Sequence, residues 1–180
     1  MRKLIEYTHV SLDGRFDGDD FWAGQMKIVP SDGQIDYAVR LLDRAVGMVL
    51  GRVTYEGFAA SWPSRSGELA DRFNSLPKYV ASRTLTETTW NAEVLPGDAI
   101  EAVAALKESG EGSLVKYGNG PLSRALIEAG LLDELHVSLS PFVAGSGESL
   151  LAGLATTDMD LQKVTDLANG AVVLTYALGR

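Results

Sequence analysis

Cysteine is absent from this chain, which excludes disulfides, thiolate nucleophiles and Cys-ligated zinc or iron–sulfur centres. Histidine occurs only at His9 and His136, a pair too sparse to form a metal-binding pattern, so no metal is expected. No apolar run approaches the ~18 residues that a membrane-spanning helix needs. Charged residues interrupt Met1 to Tyr7, where a secretory signal would require an unbroken apolar stretch. Positive charge is also scarce, since 16 Lys and Arg against 24 Asp and Glu leave a net charge of −8. A surface of that sign repels nucleic acid and anionic membranes, so neither is an expected partner. These absences together lead us to expect a soluble cytoplasmic protein.

What remains is ordinary globular composition. With 180 residues, 46% apolar and 22% charged, the chain can bury one sizeable core, and we expect a single domain over 1–180. Leu4 to Val10 reads as a first strand. The Gly- and Asp-rich stretch from Arg15 to Pro30 shows little periodicity and reads as a long functional loop. Ser31 and Gln34 suggest a capping box for a helix with Ile35, Val39, Leu42 and Val46 on one face. Gly47 to Leu50 is then a strand, Thr54 to Ala60 a short helix, and Trp62 to Gly67 a surface loop. Lys78 to Ser82 and Thr89 to Leu95 are two further strands. Asp98 caps the next helix and Gly110 stops it. Leu114 to Tyr117 is a strand, Pro121 opens a helix ending at Gly130, and Leu135 to Ser140 is a strand. Leu161 to Leu167 and Ala171 to Leu178 flank Asn169-Gly170 as a hairpin. The fold expected is three-layer α/β/α, a mainly parallel sheet ending in a C-terminal antiparallel hairpin.

Three of the strand ends run into small-residue turns suited to phosphate. They are Gly51-Arg52-Val53-Thr54, Ser82-Arg83-Thr84 and Gly118-Asn119-Gly120-Pro121. Ligands of α/β sheets sit beyond the carboxyl ends of the strands, facing loop amides and helix N-termini. Any one turn is a weak signal. Three at βαβ spacing suggest one extended phosphorylated ligand such as a dinucleotide. In a chain this acidic, local arginines and helix ends must overcome the global field, which makes an arginine beside such a turn more informative than usual.

These turns, in their order along the chain, resemble those of the dihydrofolate-reductase-like superfamily. The closer resemblance is to the branch related to the C-terminal reductase domain of the bifunctional riboflavin-biosynthesis protein. The segments that carry it are Ser11-Leu12-Asp13-Gly14, Leu50-Gly51-Arg52 with Thr54-Tyr55-Glu56, and Ser82-Arg83-Thr84-Leu85. Lys116-Tyr117-Gly118-Asn119-Gly120, Gly130 to Leu135 and Pro141 to Gly147 complete the set. The resemblance implies an NADPH-dependent reductase, commonly a homodimer. It implies that Gly51, Arg52 and Thr54 meet the cofactor pyrophosphate, and that Ser82 and Arg83 meet the 2′-phosphate. Gly118, Asn119 and Gly120 would lie along the pyrophosphate and nicotinamide, and Thr8, His9 and Gly18 would flank the nicotinamide pocket. Trp22 and Phe58 are the substrate-binding candidates. Asp36 is the nearest match to the carboxylate that serves the pterin in dihydrofolate reductases.

Each residue also has a plainer reading. Arg52 and Thr54 could be a solvated residue and a helix cap, Ser82-Arg83 a polar turn, and Gly118 to Pro121 only a tight connection. Asp36 and Arg40, spaced i,i+4, could be a solvent-facing ion pair. His9 and His136 read as structural, and Asp13 as a turn-holding residue. The function expected is hydride transfer from NADPH to a small heterocycle, with a 5-amino-6-(5-phosphoribosylamino)uracil reductase-like reaction in front. A pterin reductase, a non-catalytic dinucleotide-binding module and a phosphate-free scaffold are the alternatives.

Overall fold

Residues 1–179 are described by the structure, a computed structural model. The apolar runs form β1 (Lys3–Val10), β2 (Ala45–Gly51), β3 (Lys78–Ala81), β4 (Ala92–Val94), β5 (Ser113–Tyr117) and β6 (Glu134–Leu139). These six run parallel in the spatial order β4-β3-β2-β5-β1-β6. The hairpin of β7 (Met159–Asp166) and β8 (Val172–Leu178) extends the sheet, β8 lying antiparallel to β6 and β7 forming the edge. Parallel strands are covered on both faces, which is why the central residues of β1, β2 and β5 are buried.

Six helices cover the sheet: α1 (Asp19–Gln25), α2 (Asp32–Asp43), α3 (Arg52–Ser61), α4 (Glu68–Ser75), α5 (Ala99–Glu108) and α6 (Pro121–Glu128). Side chains alternate between the faces with period two. Ile5, Tyr7, Met48, Leu50, Val115 and Tyr117 pack with Leu42, Tyr55 and Phe73, so α2, α3 and α4 lie on one face. Leu4, Val49, Leu114 and Leu135 pack with Val103 and Leu126, so α5 and α6 lie on the other. Among the described residues no helix is long and apolar enough to cross a membrane.

The structure departs from the sequence expectations at four places. The segment expected as an irregular loop contains α1, whose Phe21 is buried and packs on Phe142 at 6.0 Å between ring centroids. Helix α4 was not anticipated. Its Ala70 and Phe73, three residues apart, are buried, and Phe73 stacks on half-buried Trp62 at 3.9 Å, while residues 63–67 stay exposed as the expected surface loop. The buried face of α2 is Ala38, Val39, Leu41 and Leu42, whereas Ile35 is exposed and Val46 belongs to β2. Finally, β4 is only Ala92–Val94, because Trp90 and Asn91 both adopt left-handed backbone that a strand cannot carry. The caps fared better. Ser31 accepts from the Gln34 amide at 3.1 Å, and Asp98 accepts from the Ile100 and Glu101 amides.

Candidate functional site

The sheet order brings the three phosphate-competent turns side by side. Gly51 is registered with Ala81, and Leu50 with Tyr117, which in turn pairs with Tyr7. The turns after β3, β2 and β5 therefore leave three adjacent strands at one level, with Thr8 and His9 next along the same rim. Helix α3 leaves β2 toward the Tyr7 face, while α6 leaves neighbouring β5 toward the opposite face. Adjacent strands that send their helices to opposite faces open a crevice between them, the usual ligand position in open α/β sheets.

Both helices present uncapped starts to that crevice. The N-cap residues Gly51 and Gly120 offer no capping side chain, and Pro121 occupies the first turn of α6. First-turn amides of this kind favour an anion through direct donation and the helix dipole. Gly118 has φ of 79°, and a Cβ there would stand 2.0 Å from Thr54 Oγ1, so the β5 turn lies directly against the first turn of α3. Asn119 Nδ2 donates to Thr8 Oγ1, while the buried Asn119 Oδ1 has no hydrogen-bond partner among the described residues. Thr8, Thr54, Gly118 and Asn119 thus form one contiguous surface.

The two arginines differ in what they already do. Arg52 faces solvent and pairs with Glu56 at 3.4 Å, four residues on. An exposed i,i+4 pair contributes only about 0.3–0.5 kcal/mol, against ~1.5–3 kcal/mol for a charge-assisted bond, so a phosphate would outcompete Glu56. Arg83 is exposed, and among the described residues no ion pair involves it. Ser82 Oγ accepts from the Thr84 and Leu85 amides at 3.2 and 3.0 Å, which fixes the turn and leaves its hydroxyl proton to donate.

Farther along the rim, Thr8 is buried and His9 half-buried. Burial holds the His9 imidazole neutral, lowering its pKa to about 4. Gly18 lies away from the crevice, its backbone against Gly147 in a clasp between the β1–α1 and β6–β7 connections. Asp13 anchors that clasp, accepting from Ser11 Oγ and from the Ala144 and Gly145 amides; these bonds, that from Ser11 foremost, lower its pKa to about 2. Trp22 is 52% exposed on α1 and donates to Asp17 at 3.0 Å. Phe58 is half-buried among Tyr117, Phe73 and Trp62. A cavity of about 590 Å³ lies at the β6 end of the rim, lined by Gly24, Lys27, Pro141, Phe142 and Asn169 among others. A second, about 300 Å³, lies under Trp90 at the opposite end of the strands. Neither is lined by the glycine turns.

Asp36 is not brought together with these residues. Its side chain is 64% exposed and stands 3.9 Å from Arg40. The next residue, Tyr37, turns inward and reaches His136 Nδ1 at 2.9 Å, while His136 Nε2 meets Glu134 Oε2 at 3.1 Å. Glu134 also receives Lys3 at 2.8 Å, and the His136 bond first and the Lys3 bond after it bring its pKa down to about 2. Burial raises the Tyr37 phenol, and does so for Tyr7 and Tyr117 beside it. Among the described residues the buried Tyr117 hydroxyl has no hydrogen-bond partner. A hydroxyl, an imidazole and a carboxylate in series can pass a proton; sequence reading took His136 as structural and singled out neither Tyr37 nor Glu134. It also missed Glu6, Lys116 and Ser123, which lie beneath the Gly118 turn. The available signal was a charged residue in each of two strands otherwise apolar enough to be buried.

The profile of the family described as "RibD C-terminal domain" matches residues 2–173. "Uncharacterized protein YyaP" of Bacillus subtilis (strain 168) is 25% identical over 181 residues, spanning 97% of this chain and 94% of that protein. A solved protein from Shewanella sp. PV-4, named for riboflavin biosynthesis, superposes with a TM-score of 0.78 at 22% identity, covering 99% of each chain. The deaminase/5-amino-6-(5-phosphoribosylamino)uracil reductase of Thermotoga maritima gives 0.68 at 12% identity, over 99% of this chain and 57% of that one. Dihydrofolate reductase from Enterococcus faecalis, complexed with NADP(H), gives 0.61 at 16% identity over 99% and 97%. At these identities the superpositions establish the shared dihydrofolate-reductase-like fold.

Proposed function

Because the chain belongs to the RibD C-terminal domain family, a family of reductases, we propose that it is an NADPH-dependent reductase of a small heterocyclic substrate. The preferred reaction is of the 5-amino-6-(5-phosphoribosylamino)uracil reductase type. The observation that carries the cofactor reading is the alignment of three anion-competent turns on adjacent strand ends, at the point where α3 and α6 part to opposite faces. The residues present fit a dinucleotide phosphate. Two helix starts are uncapped, and among the described residues Arg83 has no ion pair to surrender.

Magnitudes favour joint action. A helix start contributes roughly 0.3–1 kcal/mol and a charge-assisted bond ~1.5–3 kcal/mol, whereas micromolar affinity needs about 8 kcal/mol. Two helix starts, Arg52 and Arg83 together supply roughly 4–8 kcal/mol, most of what is needed, and no single turn comes near it. In this reading Gly51, Arg52, Thr54 and Gly118 to Gly120 hold the pyrophosphate, and Ser82 with Arg83 holds the 2′-phosphate. Thr8 and neutral His9 orient the nicotinamide. When bound, the cofactor supplies the hydride. The outward position of Asp36 favours Tyr37 over it as the proton source, with His136 and Glu134 behind. It also favours the riboflavin-type branch over a pterin reductase, whose acid is a carboxylate. Trp22 and Phe58 stay in the proposal as flanking apolar surface. A single domain acting as a homodimer completes it, the exposed β7 edge with Leu161 and Val164 being the surface available for pairing.

Thermal-shift titration with NADPH and NADH side by side tests the reading. A saturable rise in melting temperature with NADPH, larger than with NADH, is expected. No shift with either would remove it.

A further inference from the structure

The Gly118 turn rests on a buried ion pair. Glu6, Lys116 and Ser123 are 0%, 1% and 3% exposed. Lys116 Nζ stands 3.1 Å from Glu6 Oε2, donates to Ser123 Oγ at 2.7 Å, and donates to the carbonyl oxygen of Gly118. Ser123 donates in turn to Glu6 Oε1 at 2.9 Å. The ammonium thus pairs its charge with Glu6 and donates two hydrogen bonds, one of which grips the backbone of the turn. Burying such a pair is costly, and well-packed apolar residues in its place are often as stable or more so. The stability of the core does not by itself account for it.

The geometry of the peptide unit does. In a planar trans peptide the C=O and the following N–H point in opposite directions. With the Gly118 carbonyl drawn inward to Lys116, the Asn119 N–H is driven outward. Consistently, among the described residues neither the Asn119 nor the Gly120 amide finds a hydrogen-bond acceptor, although Gly120 is buried. Gly118, at φ of 79°, is the residue that lets the chain turn there.

We infer that the Glu6–Lys116–Ser123 network positions the β5–α6 turn, aiming the Asn119 and Gly120 amides at a phosphate oxyanion that Lys116 itself never touches. This rests on the cofactor reading above and deepens it. Lys116 is a positioning residue: it supplies the orientation of the cradle, while Ser123, on the first turn of α6, ties that orientation to the start of the helix.

The test compares the full-length protein with the double variant Glu6→Leu/Lys116→Met, which leaves no buried charge unpaired. The probes are NADPH, inorganic pyrophosphate, and 2′-AMP, which reaches only the Ser82–Arg83 turn. Expected for the variant are a tenfold or greater loss of NADPH and pyrophosphate affinity and unchanged 2′-AMP affinity. In the ligand-free protein, the Asn119 and Gly120 amide resonances should shift and those of Thr84 and Leu85 stay. Ser123→Ala, which keeps the ion pair, serves if the double variant does not fold, and should show the same pattern with a smaller loss. Undiminished NADPH and pyrophosphate binding, or a loss shared equally by 2′-AMP, would overturn the inference. Wild-type protein that binds pyrophosphate but not NADPH would remove the cofactor reading and keep the cradle. Binding of none of the probes would remove both.

Discussion

Replacing Arg83 by Ala should separate NADPH from NADH. Arg83 lies at the end of β3, exposed and outside every ion pair among the described residues, so its removal strands no internal partner. The turn that carries it is pinned independently by Ser82 Oγ, which accepts two amides, so the backbone should hold its course. What is lost is then one guanidinium contact to a phosphate dianion, about 1.5–3 kcal/mol, or roughly tenfold to 150-fold in affinity. NADH lacks the 2′-phosphate and should lose less than about threefold. Because the site is exposed, the NADPH penalty should shrink as salt is raised from about 50 to 300 mM, where screening shortens to under 10 Å. Arg52→Ala supplies the contrast. Its charge would face the pyrophosphate common to both cofactors, so both should weaken together, by less than Arg83 costs NADPH, since Arg52 is shared with Glu56. Calorimetric titration of the three proteins with both cofactors at two ionic strengths measures all of this. Equal losses for NADPH and NADH in Arg83→Ala would refute the 2′-phosphate assignment.

Gly118→Ala would place a methyl carbon 2.0 Å from Thr54 Oγ1 and 3.1 Å from Thr54 Cβ, at a left-handed φ. A stability loss of about 1–3 kcal/mol with weakened NADPH binding is expected in urea melts and titrations; wild-type behaviour would show that the turn has slack. Tyr37→Phe should slow turnover at least tenfold while NADPH affinity stays within twofold, and an unchanged rate would take Tyr37 out of proton delivery. The Glu134 pKa is lowered from 4.5 to about 2, so its stabilising contribution is present above pH 4.5 and lost as pH falls toward 2. The shift caps that contribution at about 3 kcal/mol, and the exposure of Lys3 reduces it to about 1–2 kcal/mol. Glu134→Gln should therefore be less stable than wild type at pH 7 and nearly equal to it near pH 2, and a constant gap across that range would contradict the assignment. Leu161→Lys with Val164→Lys should yield monomer by analytical ultracentrifugation if the β7 edge pairs two copies, and an unaltered dimer would place the interface elsewhere.

The parts of this protein that were legible in its sequence are the parts governed by near neighbours. Glycine turns at strand ends, the Ser31 and Asp98 caps and the Pro121 helix start each depend on residues within one turn, and the structure keeps them all. What escaped depends on which strands become neighbours. Helix α1 exists because Phe21 finds Phe142, more than a hundred residues away. Asp36 and Tyr37 show the limit most sharply. A residue advances about 100° around a helix, so the spacing that pointed to this turn of α2 could not say which of two adjacent side chains faces the sheet. It is the tyrosine, and its partner His136 sits on a strand the chain reaches a hundred residues later.

The Glu6–Lys116 pair was closer to being readable. In a strand buried on both faces, every position in phase with Leu4 or Leu114 is buried as well. Glu6 follows Leu4 by two, and Lys116 follows Leu114 by two. One negative and one positive charge so placed must be neutralised inside the core, and with no other charge of either sign in phase within β1, β2 or β5, each requires the other. That argument predicts β1 next to β5, the adjacency found, with Leu4 registered to Leu114 and Glu6 to Lys116. Strand order was therefore partly encoded in the two residues on which the proposed anion cradle rests: the pair that fixes which strands are neighbours includes the lysine that holds the Gly118 carbonyl.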